Sequence, residues 1–311
     1  MAVKRTVALT GATGFIGSAL ARQLCGAGWH VKALARPESN VACLSNLDIE
    51  LITGSVGDLD RLKLLVADAY AVVHCAGAVR GLKPTEFDEV NVEGTANLVN
   101  ALEEQNPSPR LLAISSLAAR EPNLSPYAAS KRRGEDAVRR LGQRMEWVIL
   151  RPPAVYGPGD REMLFLFRSL AQGVGLILGP KTAHFSLIYV ADLVMAIQRW
   201  LEQGNCENGV YELHDGQPGG YSWDDVVETT QALCGRRILR LRIPRLALQL
   251  LAIVSMATAY LLGYAPMLTL GKVRELRHPN WVCENAKLRQ ATGWIPQVRF
   301  TQGLRCTLGG V

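Results

Sequence analysis

Ser116, Tyr127 and Lys131 are the residues of this 311-residue chain whose types and spacing point most directly to chemistry. Ser125-Pro126 reads as a helix start, with serine as N-cap and proline at the first helical position. Tyr127 and Lys131 then lie four apart on one helical face, within reach of a shared ligand. An ammonium beside a phenol favours the phenolate, so Lys131 is expected to lower the pKa of Tyr127 toward neutrality. Such a tyrosinate takes the proton of an alcohol as hydride leaves. The hydroxyl of Ser116, at the end of the preceding apolar run, can hold the oxygen.

A cofactor loop stands upstream. Thr10 to Gly17 reads Thr-Gly-Ala-Thr-Gly-Phe-Ile-Gly, between the apolar run Thr6 to Leu9 and the amphipathic run Ser18 to Cys25. The order is strand, glycine loop, helix, and the spacing of Gly11, Gly14 and Gly17 is a variant of the dinucleotide fingerprint. Gly11 permits a tight turn, Gly14 lets a pyrophosphate approach the backbone, and Gly17 lets the helix pack closely. Thr13, Phe15 and Ile16 fill the rest of the turn, and the phosphates would face the open N–H groups of the helix start.

Other candidate contacts follow at the ends of apolar runs. Arg36 stands after the second predicted strand, where an NAD site would want an acid; it can pair with a 2′-phosphate, with Arg22 assisting, or be a surface arginine. The charge at that position favours NADP over NAD. Asp58 can accept from an adenine amine or cap the helix that begins at Leu59. Cys75, Ala76 and Gly77 are small residues at the end of the fourth strand, leaving room for ribose and nicotinamide. Val79, just beyond, is a candidate substrate contact.

These residues need a frame, and the chain supplies one. Strand-like runs at 3–9, 30–35, 49–53, 70–75, 110–115 and 146–150 alternate with helical patterns, notably 58–67, 85–105 and 126–141. That alternation predicts βαβ units and a parallel, doubly wound α/β sheet. Residues 1–157 form the expected dinucleotide-binding domain. Residues 158–311 form a smaller, mostly helical substrate region packed on it, some of whose segments can return to the sheet.

Composition excludes several classes. A hydrophobic share of 48% and a charged share of 20% describe an ordinary folded protein. The net charge of +6 comes without aromatic residues interleaved among the basic clusters, so no nucleic-acid partner is expected. Seven scattered cysteines, with no C-x-x-C pair, argue for a reducing compartment and against a disulfide frame. The five histidines form no ligand motif, so no metal is expected. Cytoplasm is the expected location, and a homodimer is compatible with the sequence.

As a set the motifs resemble an extended short-chain dehydrogenase/reductase of the epimerase/dehydratase-like group. The resemblance rests on the glycine loop, Gly57-Asp58-Leu59, His74-Cys75-Ala76-Gly77, Asn91-Val92-Glu93-Gly94-Thr95, Ser115-Ser116 and Tyr127-x-x-x-Lys131. Arg151 to Gly159, Tyr189-Val190-Ala191-Asp192-Leu193 and Gly293-Trp294-Ile295-Pro296 extend it over nearly the whole chain. It implies a Rossmann sheet, a Ser116/Tyr127/Lys131 triad, Asn91 as a structural or water-binding partner, and Pro152 to Val155 beside the nicotinamide amide. Two departures bear on substrate. Only ten residues separate Ser116 from Tyr127, where nucleotide-sugar epimerases carry a longer loop. Phe185 stands where such enzymes place a phosphate-gripping arginine, and an apolar ring cannot bind a diphosphate.

Arginines 236, 237, 240, 242 and 245 precede a stretch, Leu246 to Gly271, with no formal charge. The run is long enough to cross a membrane. Gln249, Ser255, Thr258, Gly263, Tyr264 and Pro266 interrupt it, and two buried or amphipathic helices broken near Gly263 to Pro266 are expected instead. The run resembles the apolar substrate-domain segment of 3β-hydroxysteroid dehydrogenase-like members of the family. Together these features predict an NAD(P)-dependent oxidoreductase acting on a hydroxyl or ketone of a largely apolar small molecule. The alternatives are a nucleotide-sugar epimerase or dehydratase, and a non-catalytic cofactor-bearing subunit.

Overall fold

A computed structural model describes residues 5–203 and 206–309. The elements, in chain order, begin β1 (Thr6–Thr10), α1 (Phe15–Gly26), β2 (His30–Ala35), β3 (Ile49–Thr53), α2 (Leu59–Val66) and β4 (Ala71–His74). They continue α3 (Pro84–Asp88), α4 (Gly94–Glu103), β5 (Arg110–Ile114), α5 (Pro126–Arg139), β6 (Trp147–Arg151) and β7 (Ala154–Tyr156). Then come α6 (Leu164–Ala171), β8 (Val174–Ile177), β9 (His184–Phe185), β10 (Leu187–Tyr189), α7 (Val190–Gln203) and β11 (Gly209–Glu212). The chain closes with β12 (Tyr221–Ser222), α8 (Trp223–Cys234), β13 (Leu239–Arg242), α9 (Arg245–Leu262), α10 (Leu270–Leu276), β14 (Asn280–Trp281), α11 (Ala286–Thr292) and α12 (Phe300–Thr307).

The central sheet has seven strands in the order β11-β6-β5-β4-β1-β2-β3, all parallel. This is the doubly wound Rossmann arrangement, with its switch point between β1 and β4. All six runs read from the sequence form strands of this sheet; residues 3 and 4 of the first lie outside the described residues. The seventh strand, β11, comes from beyond residue 157.

Apolar runs make the strands, and helices cover both faces. On one face Val7, Leu9, Val73, Leu112 and Leu150 pack with Leu20 and Leu24 of α1 and with Leu193, Ile197 and Trp200 of α7. On the other, Ala8, Val72, Leu111 and Ile149 pack with Leu62, Leu65, Leu98, Leu102 and Val138. Strands buried on both sides need continuous rather than alternating hydrophobicity, and these have it.

The helical pattern at 85–105 is interrupted. Between α3 and α4 the chain makes a π-helical turn over Glu89–Glu93, with Asn91 buried inside it. Such bulges often mark functional sites. Here the turn aims Asn91 toward the loop after β4.

The larger correction concerns α9. The sequence led us to expect two buried or amphipathic helices here, but most of α9 is exposed, and only Leu248, Ala252 and Ala259 of it are buried. A small cluster with Val273 of α10, flanked by Leu178, Ile243, Leu268 and Leu270, holds it to the body. The polar interruptions were thus a poor guide to burial. Its helical break does fall where the sequence placed it, at Gly263, whose left-handed φ of 69° closes the C-terminus.

Candidate active site

Because the sheet is parallel, the carboxyl ends of β1, β4, β5 and β6 all open at one edge. Gly11, Cys75, Ser115 and Pro152 follow these ends directly, so residues far apart in sequence meet there. Gly11 has a φ of 71°, and a Cβ on it would lie 2.6 Å from the Ala76 nitrogen. The glycine loop and the Cys75–Gly77 segment are therefore in backbone contact, which only glycine allows. A Cβ on Gly17 would strike the Gly11 carbonyl, which lets α1 begin directly under the turn.

The start of α1 fits an anionic ligand. Gly14, its N-cap, is exposed and offers no side-chain cap, and the first turn carries no acid. Its N–H groups are open to a phosphate, and the helix dipole favours one. A dinucleotide therefore fits the residues present. Gly159, with a φ of 92°, brings the loop after β7 near the Phe15 ring, which a Cβ there would meet at 3.8 Å.

A buried polar chain fixes the walls. His74 shares hydrogen bonds with the Thr10 hydroxyl at 2.7 Å and the Thr95 hydroxyl at 3.1 Å. Asn91 donates to the Ala78 carbonyl at 3.0 Å and to the Ser130 hydroxyl at 2.9 Å, and accepts from the Ala78 N–H at 2.9 Å. Asn91 thus ties the loop after β4 to α5, the structural role that the resemblance implied. Gly134 makes this possible, because a Cβ there would collide with the Asn91 carbonyl. Farther along α5, Glu135 is buried and takes the Arg151 guanidinium in two bonds of 2.7 and 2.6 Å, along with the Ser115 hydroxyl at 2.6 Å.

Helix α5 begins as read: the Ser125 hydroxyl accepts from the Ala128 N–H at 2.9 Å, with Pro126 in the first turn. The Ser116 hydroxyl faces the Tyr127 phenol and favours its ionised form, yet burial dominates and raises the Tyr127 pKa. Here the sequence expectation needs correction. Lys131 does not set the phenol's charge; its ammonium donates to the Ile114 carbonyl at 2.7 Å, beside Gly77. Burial brings the Lys131 pKa down to about 8, against the pull of Glu135 and Cys75. Cys75 itself is pushed up to about 12 by burial, so it is a neutral thiol.

Two residues near Tyr127 escaped the sequence reading. Lys272 of α10 lowers the phenol's pKa and Glu275 raises it, both through space. Glu275 also accepts from the Ser125 hydroxyl, and Lys272 donates to Glu275 at 3.2 Å. Nothing local in the sequence links residues about 150 apart. Phe87 of α3 adds an edge-on ring, its centroid 6.2 Å from that of Tyr127.

The remaining predicted residues divide. Asp58 caps α2, accepting from the Arg61 N–H at 3.1 Å, and Leu59 opens that helix. Arg36 follows β2 at the same sheet edge and pairs with Glu38 at 3.2 Å, both exposed. The Pro152 carbonyl accepts from the Leu117 N–H at 2.9 Å, and Val155 lies half-buried in β7. Val79 is exposed beyond Gly77. Phe185 sits in β9 with its ring 5.2 Å from that of Trp223, within the C-terminal core rather than with Tyr127.

The model of the NAD-dependent epimerase/dehydratase family matches residues 7–213. The chain belongs to this family. Among curated relatives, the ceramide reductase of Caulobacter vibrioides is 34% identical, covering 94% of this chain and 96% of that one. The 2-alkyl-3-oxoalkanoate reductase of Stenotrophomonas maltophilia is 26% identical over 96% of this chain and 97% of its own length. Among solved structures, UDP-glucuronic acid 4-epimerase from Bacillus cereus, in complex with UDP-glucuronic acid and NAD, shares the fold. Its TM-score is 0.74, at 20% identity, covering 98% of both chains. Family and relatives make this chain an NAD-dependent enzyme of the oxidoreductase and epimerase type.

Proposed function

We propose that this chain uses NADPH to reduce a keto group on a long-chain, ceramide-like lipid. The observation that carries the reading is the likeness to a ceramide reductase over nearly the full length of both chains.

Gly11 to Gly17 would hold the pyrophosphate, Asp58 and Leu59 the adenine side, Cys75 to Gly77 and Lys131 the ribose, and Pro152 and Val155 the amide end. When bound, the nicotinamide supplies the hydride. The chain supplies the proton. A half-buried phenol with a raised pKa stays protonated at neutral pH, the form that can give a proton to the carbonyl oxygen as it becomes an alcohol. The Ser116 hydroxyl donates a second hydrogen bond to that oxygen. The phenolate left behind is stabilised by the Ser116 hydroxyl, while Glu275 and Lys272 act on it in opposite directions, and it takes its proton back from water.

Arg36 supports NADPH over NADH. Its surface pair with Glu38 is worth little, so the guanidinium can turn to a 2′-phosphate. Losing such a charge-assisted contact costs about 1.5–3 kcal/mol. Calorimetry on Arg36→Ala should therefore show NADPH binding weakened by an order of magnitude or more, with NADH nearly unchanged. Tighter NADH binding by the native protein would refute the preference.

The reaction itself is tested by incubating the protein and NADPH with a keto-lipid in detergent, and separately with UDP-sugars. Loss of NADPH matched by a hydroxy-lipid product is the expected result. Interconversion of a UDP-sugar without net cofactor consumption would overturn the lipid reading.

A further inference from the structure

We infer that the hairpin of α9 and its return to α10 is a one-sided bilayer anchor that seats the protein on an anionic membrane surface, where its substrate resides. The docking stands on the surface of α9; the delivery of substrate rests on the lipid reading above.

Helix α9 has 18 residues, and Arg245 is its sole charged one. Leu261 is 80% exposed, Leu262 76%, Tyr260 75% and Leu246 74%, with Leu250, Leu251, Ile253 and Val254 also exposed. At about 3.6 residues per turn, the exposed apolar positions span about 200° of the helix surface. Leu248 and Ala252 pack its N-terminal half against the body, and in the C-terminal half only Ala259 is buried. At the far end the hydrogen bonds run to the helix's own return segment. The Tyr264 N–H donates to the Ala259 carbonyl at 3.2 Å, and the Thr258 and Tyr264 hydroxyls meet at 3.1 Å. That return adds Tyr264 and Met267 to the exposed surface.

Apolar surface of this extent is costly in water. A second copy packing helix on helix covers one stripe along the contact and leaves the rest of the arc wet. A bilayer covers the whole arc at once. Charge points the same way. Arg240 and Arg242 are held by Asp224 and Glu228 of α8. Arg236, Arg237 and Arg245 are exposed and have no carboxylate partner among the described residues. They lie at or just before the base of the hairpin, so an apolar tip in the acyl region would bring them near anionic head groups. Tyr260 and Tyr264 are the residue type that favours the polar–apolar boundary.

The hairpin leads straight to the site. Residues 263–269 return to α10, where a Cβ on Gly271 would lie 2.8 Å from that of Ser125. Arg274 donates to the Leu124 carbonyl at 2.6 Å, and Lys272 acts on Tyr127. The segment that would enter the lipid is thus covalently continuous with a wall of the Tyr127 site.

Flotation of the full chain tests this, using vesicles of phosphatidylcholine alone and of phosphatidylcholine mixed with phosphatidylglycerol. The protein should float with the mixed vesicles and less so as salt rises. Arg236→Gln/Arg237→Gln should weaken partition roughly thirty-fold, as two surface cations are lost. Leu251→Glu/Leu261→Glu should abolish it, while an unchanged melting curve shows that the variant is folded. Native protein that stays with neither vesicle would overturn the proposal. So would a two-copy mass in solution that falls to one in the leucine variant, assigning the face to a second copy. Flotation reads membrane binding without turnover, so a failed lipid-reductase assay leaves this result standing on its own.

Discussion

Helices α5 and α9 reverse what their compositions suggest. Helix α5 carries Lys131, Arg132, Arg133, Glu135, Asp136 and Arg139 in 14 residues, yet it lies against the sheet with Ser130 and Glu135 buried. Helix α9 is almost wholly apolar and lies open. The difference is one of partners. Each buried polar group on α5 has a designated mate: Asn91 for Ser130, Arg151 and Ser115 for Glu135. Burying a polar group costs little when it is satisfied and much when it is not. Helix α9 needs no mates, but the body offers it only one narrow stripe. A helix is buried where the fold provides a matching surface, whatever its mean polarity.

The sharpest way to break this comparison is at the reacting end of α5. Tyr127→Phe should reduce turnover by about 10²–10⁴-fold, the usual worth of a general acid, with cofactor affinity nearly intact by calorimetry. Unchanged turnover would make α5 a scaffold.

The next test is Glu135. Glu135→Ala leaves the Arg151 guanidinium buried without its partner, and should destabilise the protein by about 3–5 kcal/mol in urea melts. A loss below about 0.5 kcal/mol, the range of ordinary surface changes, would mean that the network is decorative.

A pH series probes the same wall. His74 is held near a pKa of about 3 by burial, with Lys131 adding to the effect, against an ordinary 6.5. The unfolded chain therefore binds a proton that the folded one refuses, so stability should be full above pH 6.5 and fall as pH drops toward 3. The slope from this group approaches about 1.4 kcal/mol per pH unit within that window. His74→Gln should lower stability at neutral pH and flatten the slope; an unaltered slope would show that His74 is protonated in the fold.

The smallest effect belongs to α9. Leu261→Gln should change stability by no more than about 0.5 kcal/mol, as for an exposed site, whereas a core leucine costs about 2–5 kcal/mol when truncated. A core-sized loss would mean that the helix is covered in the free protein.

Much of the frame was readable from the chain alone. The six strands, the glycine turn, the Ser125 cap and the Tyr127–Lys131 face all depend on period, turn chemistry or spacing within a few residues, and sequence records such things directly. Strand β11 was not readable, because Gly-Val-Tyr-Glu is too short to show a period and gains its place only by pairing with β6. Phe185 was read by its position relative to a family pattern, and its ring proved to pack on Trp223.

The sequence by itself determined a dinucleotide-type Rossmann sheet and brought serine, tyrosine and lysine to one of its edges. Only the tertiary structure decided the electrostatics there. It turned Lys131 to the Ile114 carbonyl, brought Lys272 and Glu275 to Tyr127, and withdrew that phenol far enough from water that its pKa rises. Only the tertiary structure, too, left α9 exposed. Local signals fix which conformation a segment adopts, but charge environment and burial depend on which distant segments arrive beside it.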